Sequence, residues 1–199
     1  AGGKIVCLFG KILYDIWMDE PAGTVHADIV DWVNQSIDAV AGSRTLLLIK
    51  PHPNEINPMM ATPAEFFFDL IHAKINENVI LCDHRWFNVG DLLPYLDLGL
   101  LWSGTAALEL QASGIPVAIC GKWGLRDHPV AFIEIGDTEE YRRLLLEPPG
   151  RAVPDAVRDR SLLLLKYYST PEVLVPYAYG NMRYLRGKDI GPPCWHMGK

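Results

Sequence analysis

Short apolar runs alternate along this chain with longer amphipathic ones. Residues 4–9, 45–50, 78–82, 98–102, 115–120 and 131–135 have the length and aliphatic character of strands. Between them the period changes to 3.6. Residues 27–41 place Ile29, Val30, Val33, Ile37 and Val40 at helical spacing, with Gly42 set to end the helix. Thr62-Pro63-Ala64-Glu65 reads as a second helix start: a hydroxyl cap, a proline at the first position and a glutamate three residues on, before the apolar run 66–71. Further helices are expected at 89–95, 105–112, 138–146 and 154–168, with Asp137 and Glu140 spaced as a capping-box variant for the helix over 138–146.

Strands this uniformly apolar are covered on both faces, and helical crossovers between them make a parallel sheet. The expected fold is therefore α/β: a doubly wound, mostly parallel, Rossmann-like sheet of about six strands with helices on both faces. The common order 3-2-1-4-5-6 sets the ends of the first and fourth strands side by side, where ligands bind. Two units are expected, a Rossmann-like domain over 1–150 and a C-terminal helix and irregular tail over 151–199. Pro148-Pro149-Gly150 marks the change. The tail would pack on that domain or on a preceding one, which is expected because the chain starts at Ala1 directly before a strand.

Composition supports a folded domain. Of 199 residues, 49% are hydrophobic and 21% charged, so disorder, collagen and coiled coil are excluded. The net charge is -6 and no block of like charge occurs, so nucleic acid is not an expected partner and any phosphate recognition must be local. Cys7, Cys82, Cys120 and Cys194 are far apart, without metal-ligand spacing, as in a reducing compartment. No window reaches the roughly 20 apolar residues of a transmembrane segment. The expected location is the cytoplasm, with a peripheral position at the inner membrane as the variant.

Candidate chemistry gathers at the carboxyl ends of the strands. Phe9-Gly10-Lys11 follows the first, where glycine allows a sharp turn and close ligand approach, or is a turn glycine and no more. Neither a dinucleotide fingerprint nor a Walker lysine follows, which argues against NAD enzymes and P-loop ATPases. Lys50-Pro51-His52-Pro53-Asn54-Glu55 follows the second strand, so two prolines immobilise an imidazole able to donate to a phosphate or stabilise a leaving group. Lys50 adds positive charge; the plain alternative is a histidine in a proline-rich turn.

Ser103-Gly104-Thr105 opens a helix after the fourth strand, as an anion site of backbone N–H groups and hydroxyls or as simple N-capping by Ser103. Glu109 lies one turn on and could accept from a ribose hydroxyl or face solvent. Gly121 and Trp123 leave the fifth strand in a loop at the same edge. Asp83-His84 is adjacent in sequence, and adjacent residues do not face one another as a dyad.

The string from Leu47 to Glu55 with Lys-Pro-His-Pro, and the string from Asp91 to Gly121 with Ser103-Gly104-Thr105, Glu109 and Gly114-Ile115-Pro116-Val117, resemble the C-terminal donor-binding domain of GT-B glycosyltransferases. The resemblance, over about residues 4–165, is strongest to bacterial capsule polysaccharide biosynthesis proteins, including Kdo transferases, and to sialyltransferase-like enzymes. It implies a donor-binding half of a transferase acting in capsule or surface polysaccharide synthesis, with Kdo from CMP-Kdo as an example. The donor would be a CMP- or UDP-linked sugar, the acceptor a glycan or glycolipid, and no metal or other cofactor would be needed.

His52 is the implied catalytic residue. The resemblance sets the donor nucleotide on His52, Pro53, Ser103 and Thr105, and Gly10, Lys11, Lys50, Gly104, Glu109 and Gly121 join them as expected donor contacts by their place at the same sheet edge. Asp19-Glu20-Pro21-Ala22-Gly23 does not reproduce the family's acidic base motif, and Gly104 splits its hydroxyl pair, so binding without turnover is expected of this chain alone. The other readings are a nucleotide-sugar epimerase or polyol-phosphate transferase half-domain, and a non-catalytic interaction module.

Overall fold

The computed structural model describes residues 3–13, 23–57, 65–121 and 130–169. Five parallel strands form one sheet in the order β3-β2-β1-β4-β5: β1 (Lys4–Phe9), β2 (Thr45–Lys50), β3 (Val79–Leu81), β4 (Leu98–Leu101) and β5 (Val117–Ile119). This is the doubly wound Rossmann-like arrangement, with β1 and β4 adjacent at its centre.

Side chains of β1 alternate between two cores, as the pleat requires. Val6 and Leu8 join Leu47, Ile49, Leu98 and Leu100 under α1 (Ile29–Val40). Cys7 and Phe9 join Leu48, Leu101, Val117 and Ile119 on the opposite face. Both faces are covered, which is why no polar alternation shows in the strands. At α1, Asp28 is extended and its carboxylate accepts the Asp31 N–H at 2.8 Å, an aspartate N-cap. Trp32, Val33, Ile37 and Val40 are fully buried on its inner side.

α4 (Thr138–Leu146) packs beside α1, joined by the Ser36 Oγ–Tyr141 OH bond at 2.6 Å. Asp137 caps it by accepting the Glu140 N–H at 2.8 Å, while Glu140 reaches back to the Gly136 N–H. On the other face α3 (Ala106–Ala112) buries Ala107, Leu108 and Leu110. α5 (Asp155–Ser169) lies outside α3, where Ser161 Oγ donates to Gln111 Oε1 at 3.0 Å. The C-terminal helix thus packs on the sheet domain; the tail from 170 lies outside the described residues.

Three expectations need correction. Residues 131–135 make no sixth strand: Ile133 alone bridges Ala118 of β5, in parallel. The Ala131 carbonyl is taken by the Gln111 side chain, so a ladder group on this segment is already used. The second expected helix is a 3₁₀ turn over Phe67–Leu70; its expected start at 62–64 lies outside the described residues. Asn34 of α1 ends that turn by accepting the His72 and Ala73 N–H groups and donating to the Leu70 carbonyl. The helix expected at 89–95 is the single turn α2 (Val89–Leu92).

His26 is 2% exposed beside α1, edge-on to Tyr141, and neither ring nitrogen has a hydrogen-bond partner among the described residues. Burial lowers its pKa below the ordinary 6.5 and outweighs the Asp31 carboxylate 3.9 Å away. As pH falls through 6.5, the unfolded chain takes up the proton before the folded one, so stability drops from there toward the lowered folded value and then levels. The urea midpoint should fall between pH 7.5 and 5 by a margin that His26→Phe reduces. An equal fall in both proteins would show that His26 is not the group responsible.

Candidate nucleotide site

The register brings the sequence-predicted loops together. Phe9 pairs with Lys50 on one side and with Leu101 on the other, so the chain leaves β1, β2 and β4 at one edge. A cavity of about 750 Å³ opens there, lined from the β1 loop by Gly10 and Lys11, from the β2 end by Lys50, His52 and Pro53, and from the β4 end by Ser103, Gly104, Thr105 and Glu109. Gly121 is elsewhere: its N–H donates to the Trp102 carbonyl at 2.9 Å and it bridges Gly23. Trp123, Asp15 and the 19–22 segment lie outside the described residues.

Gly10 is required by its neighbours. Its N–H donates to the Lys50 carbonyl at 2.7 Å, and a Cβ at this position would lie 2.9 Å from the Phe67 ring. Gly104 is required by its backbone, at φ +135°, a conformation closed to other residues without strain. Ser103 does not serve as a helix cap. Its Oγ accepts a 2.7 Å bond from Lys11 Nζ, which ties the β1 loop to the β4 loop. α3 has only seven residues, so the polar groups this edge offers are mainly side chains.

Lys50 is the feature that asks for a ligand. It is 4% exposed at the cavity, and among the described residues its ammonium has no hydrogen bond or ion pair. A buried charge without a counter-ion is costly, and an anion in the cavity would remove that cost. Cys7 and Cys82 lie within its field, yet burial raises the pKa of both thiols, so they remain protonated and inert as nucleophiles.

His52 stands just before the 3₁₀ turn Pro53–Ile56, and its Nδ1 accepts the Asn54 N–H at 3.1 Å. That bond places the proton of the neutral ring on Nε2, so His52 can donate from Nε2 without being charged. Lys11, Lys50, His52 and His84 therefore face a cavity whose lining includes one carboxylate, Glu109. The site is locally basic on an acidic chain.

Two participants escaped the reading of the sequence. His84 lines the cavity, and its partner is Glu55, 29 residues away, at 2.7 Å from Nε2 to Oε2, not the adjacent Asp83. Glu55 is buried, held also by the Phe67 N–H at 2.9 Å. The available signal was Glu55 itself, a carboxylate at the end of the rigid Lys-Pro-His-Pro string. Among the described residues no group of three or more metal-ligating side chains is placed to hold a metal ion, and none of their helices is long and apolar enough to cross a membrane.

No protein-family profile matches the sequence, and no curated protein does. Solved structures similar to the chain include the glycosyltransferase SnogD from Streptomyces nogalater, at 16% identity and TM-score 0.39, over 82% of this chain and 37% of that one. Another is the glycotransferase of kitacinnamycin, at 16% identity and TM-score 0.42, over 82% of this chain and 38% of that one. The chain spans little more than a third of the length of either.

Proposed function

We propose that this chain is the donor-nucleotide-binding half of a GT-B-type glycosyltransferase, using a CMP- or UDP-linked sugar such as CMP-Kdo to build a bacterial capsule or surface polysaccharide. The observation that supports it most is Lys50, 4% exposed at the C-terminal edge of a doubly wound sheet beside Lys11 and His52, whose ammonium has no hydrogen bond or ion pair among the described residues. Lys50 and Lys11 balance phosphate charge, while His52 Nε2–H donates to a phosphate oxygen. Gly104 lets the backbone approach, and Glu109 accepts from a ribose hydroxyl.

In the transfer step the acceptor hydroxyl of a glycan or glycolipid forms a bond to the anomeric carbon. The bond from that carbon to the phosphate oxygen breaks, and its electron pair leaves with the nucleotide. Negative charge grows on the phosphate as this happens, where fixed cations in a partly dry cavity stabilise it most. A second domain closing over the cavity would supply the base that takes the acceptor's proton and would exclude water.

The test is a thermal-shift panel of CMP, CDP, UDP and GDP at millimolar concentration, with titration of the best ligand. A raised melting temperature is expected for at least one, and His52→Ala should weaken that ligand about 10- to 100-fold. No shift and no heat of binding with any of the four would overturn the proposal.

A further inference from the structure

Glu55 presents an unusual carboxylate. Its side chain is fully buried, and its two oxygens have one partner each: the Phe67 N–H on Oε1 and His84 Nε2 on Oε2. An ionised carboxylate this deep needs donors on both oxygens, so the His84 proton sits on Nε2 and is given to Glu55. The rings of Phe66 and Phe68 flank the imidazole at 6.3 and 6.1 Å and help fix its plane. Among the described residues, Nδ1 has no hydrogen-bond partner, and His84 lines the cavity.

His84 and His52 thus present opposite chemistry. Neutral His52 keeps its proton on Nε2, whereas neutral His84 keeps only a lone pair on Nδ1. A lone pair repels a phosphate oxygen. An imidazolium would attract it, and Glu55 is already placed to stabilise that cation.

We propose that His84 is a phosphate-contacting residue of this cavity, positioned by Glu55 and protonated on Nδ1 as the nucleotide binds. The proposal rests on the nucleotide-binding reading above and adds a proton to it. The proton comes from solvent, and the bound state holds an imidazolium between Glu55 and the phosphate. Other charges bear on it. Lys50 at the end of β2, Lys11 on the β1 loop and Arg85 on its own loop oppose protonation; Glu109 on α3, Asp83 on the same loop, Asp69 on the Phe67–Leu70 turn and the phosphate favour it. Asp83 and Asp69 already cap backbone N–H groups, of Arg85 and Phe66, so the ligand is the variable that changes.

Calorimetric titration of the whole chain with the tightest binder among CMP, CDP, UDP and GDP at pH 7.5, in two buffers of different ionisation enthalpy, reads proton uptake directly. Uptake is expected with the wild type. His84→Asn should abolish it and weaken binding about tenfold, one lost charge-assisted bond. Glu55→Gln gives the sharper result. The glutamine oxygen can still accept from Phe67, which turns its amide N–H toward His84 Nε2 and moves the ring proton to Nδ1. This variant should bind nucleotide with no proton uptake.

Wild-type binding with no uptake, or uptake unchanged in both variants, would overturn the role of His84 while leaving the nucleotide site standing. Absence of wild-type binding to all four of CMP, CDP, UDP and GDP would overturn both. If His84→Asn does not fold, the Glu55→Gln titration decides alone.

Discussion

Lys50→Met is expected to leave the protein at least as stable as the wild type while removing about 100-fold or more of its nucleotide affinity. The two effects share one cause. In the free protein Lys50 is 4% exposed and its ammonium has no hydrogen bond or ion pair among the described residues, so a methionine of similar length fills its place with no bond lost. With nucleotide bound, the same ammonium neutralises phosphate charge in a partly dry cavity, and truncating one side of such a pair costs roughly 2–5 kcal/mol. Melting temperature without ligand should hold or rise by a few degrees, and the ligand-induced shift should vanish. A variant that is destabilised and still binds normally would show that Lys50 supports the fold and not the site.

The opposed signs matter because most cavity substitutions lower stability and binding together, which leaves their cause ambiguous. His52 illustrates the ambiguity. Its Nδ1 accepts the Asn54 N–H and so holds the turn, and the residue also lines the cavity; replacing it alters both. Lys50 has no such double duty.

How far the sequence could lead is clearest at the strand ends. Gly10, Lys50 and Ser103 are separated by up to 93 positions, yet the apolar runs before them implied a parallel sheet in which β1 lies between β2 and β4. The register Phe9–Lys50 and Phe9–Leu101 then makes their meeting unavoidable. Gly121 followed the same logic and sits elsewhere, because after β5 the chain turns back onto Trp102 and Gly23.

What remained hidden depends on side-chain partners distant in sequence. Asp83 stood beside His84 in the sequence, but the carboxylate that orients the imidazole comes from the turn after β2. Likewise, the capping signals of 62–65 and the apolar run behind them favoured a helix. Asn34, a polar residue on α1, ends it after one turn by claiming three backbone groups. Local propensity is a weak prior against such tertiary bonds.

Trp102→Ala should be the most damaging change to the fold and should weaken the site with it. The side chain is 1% exposed at the end of β4, its ring 5.6 Å from that of Trp32, with Gly23 and Gly121 packed so closely that a Cβ on either would meet the indole. Truncation leaves a cavity where two elements converge, at about 3–5 kcal/mol. That is a large part of the 5–15 kcal/mol that holds a typical domain together. Ser103, bonded to Lys11 across the cavity, is the next residue, so losing the anchor also frees the β4 loop that would meet the phosphate.

Trp102→Phe separates packing from polarity. Among the described residues the buried indole N–H has no acceptor, so phenylalanine forfeits no hydrogen bond and only part of the volume. Urea unfolding should rank wild type, then Phe, then Ala, with the Phe variant well short of the Ala loss and its nucleotide affinity within a few-fold of wild type. A Phe variant as unstable as Ala would mean that the indole N–H has a partner, and packing alone would then fail to explain why tryptophan stands in the core just before Ser103.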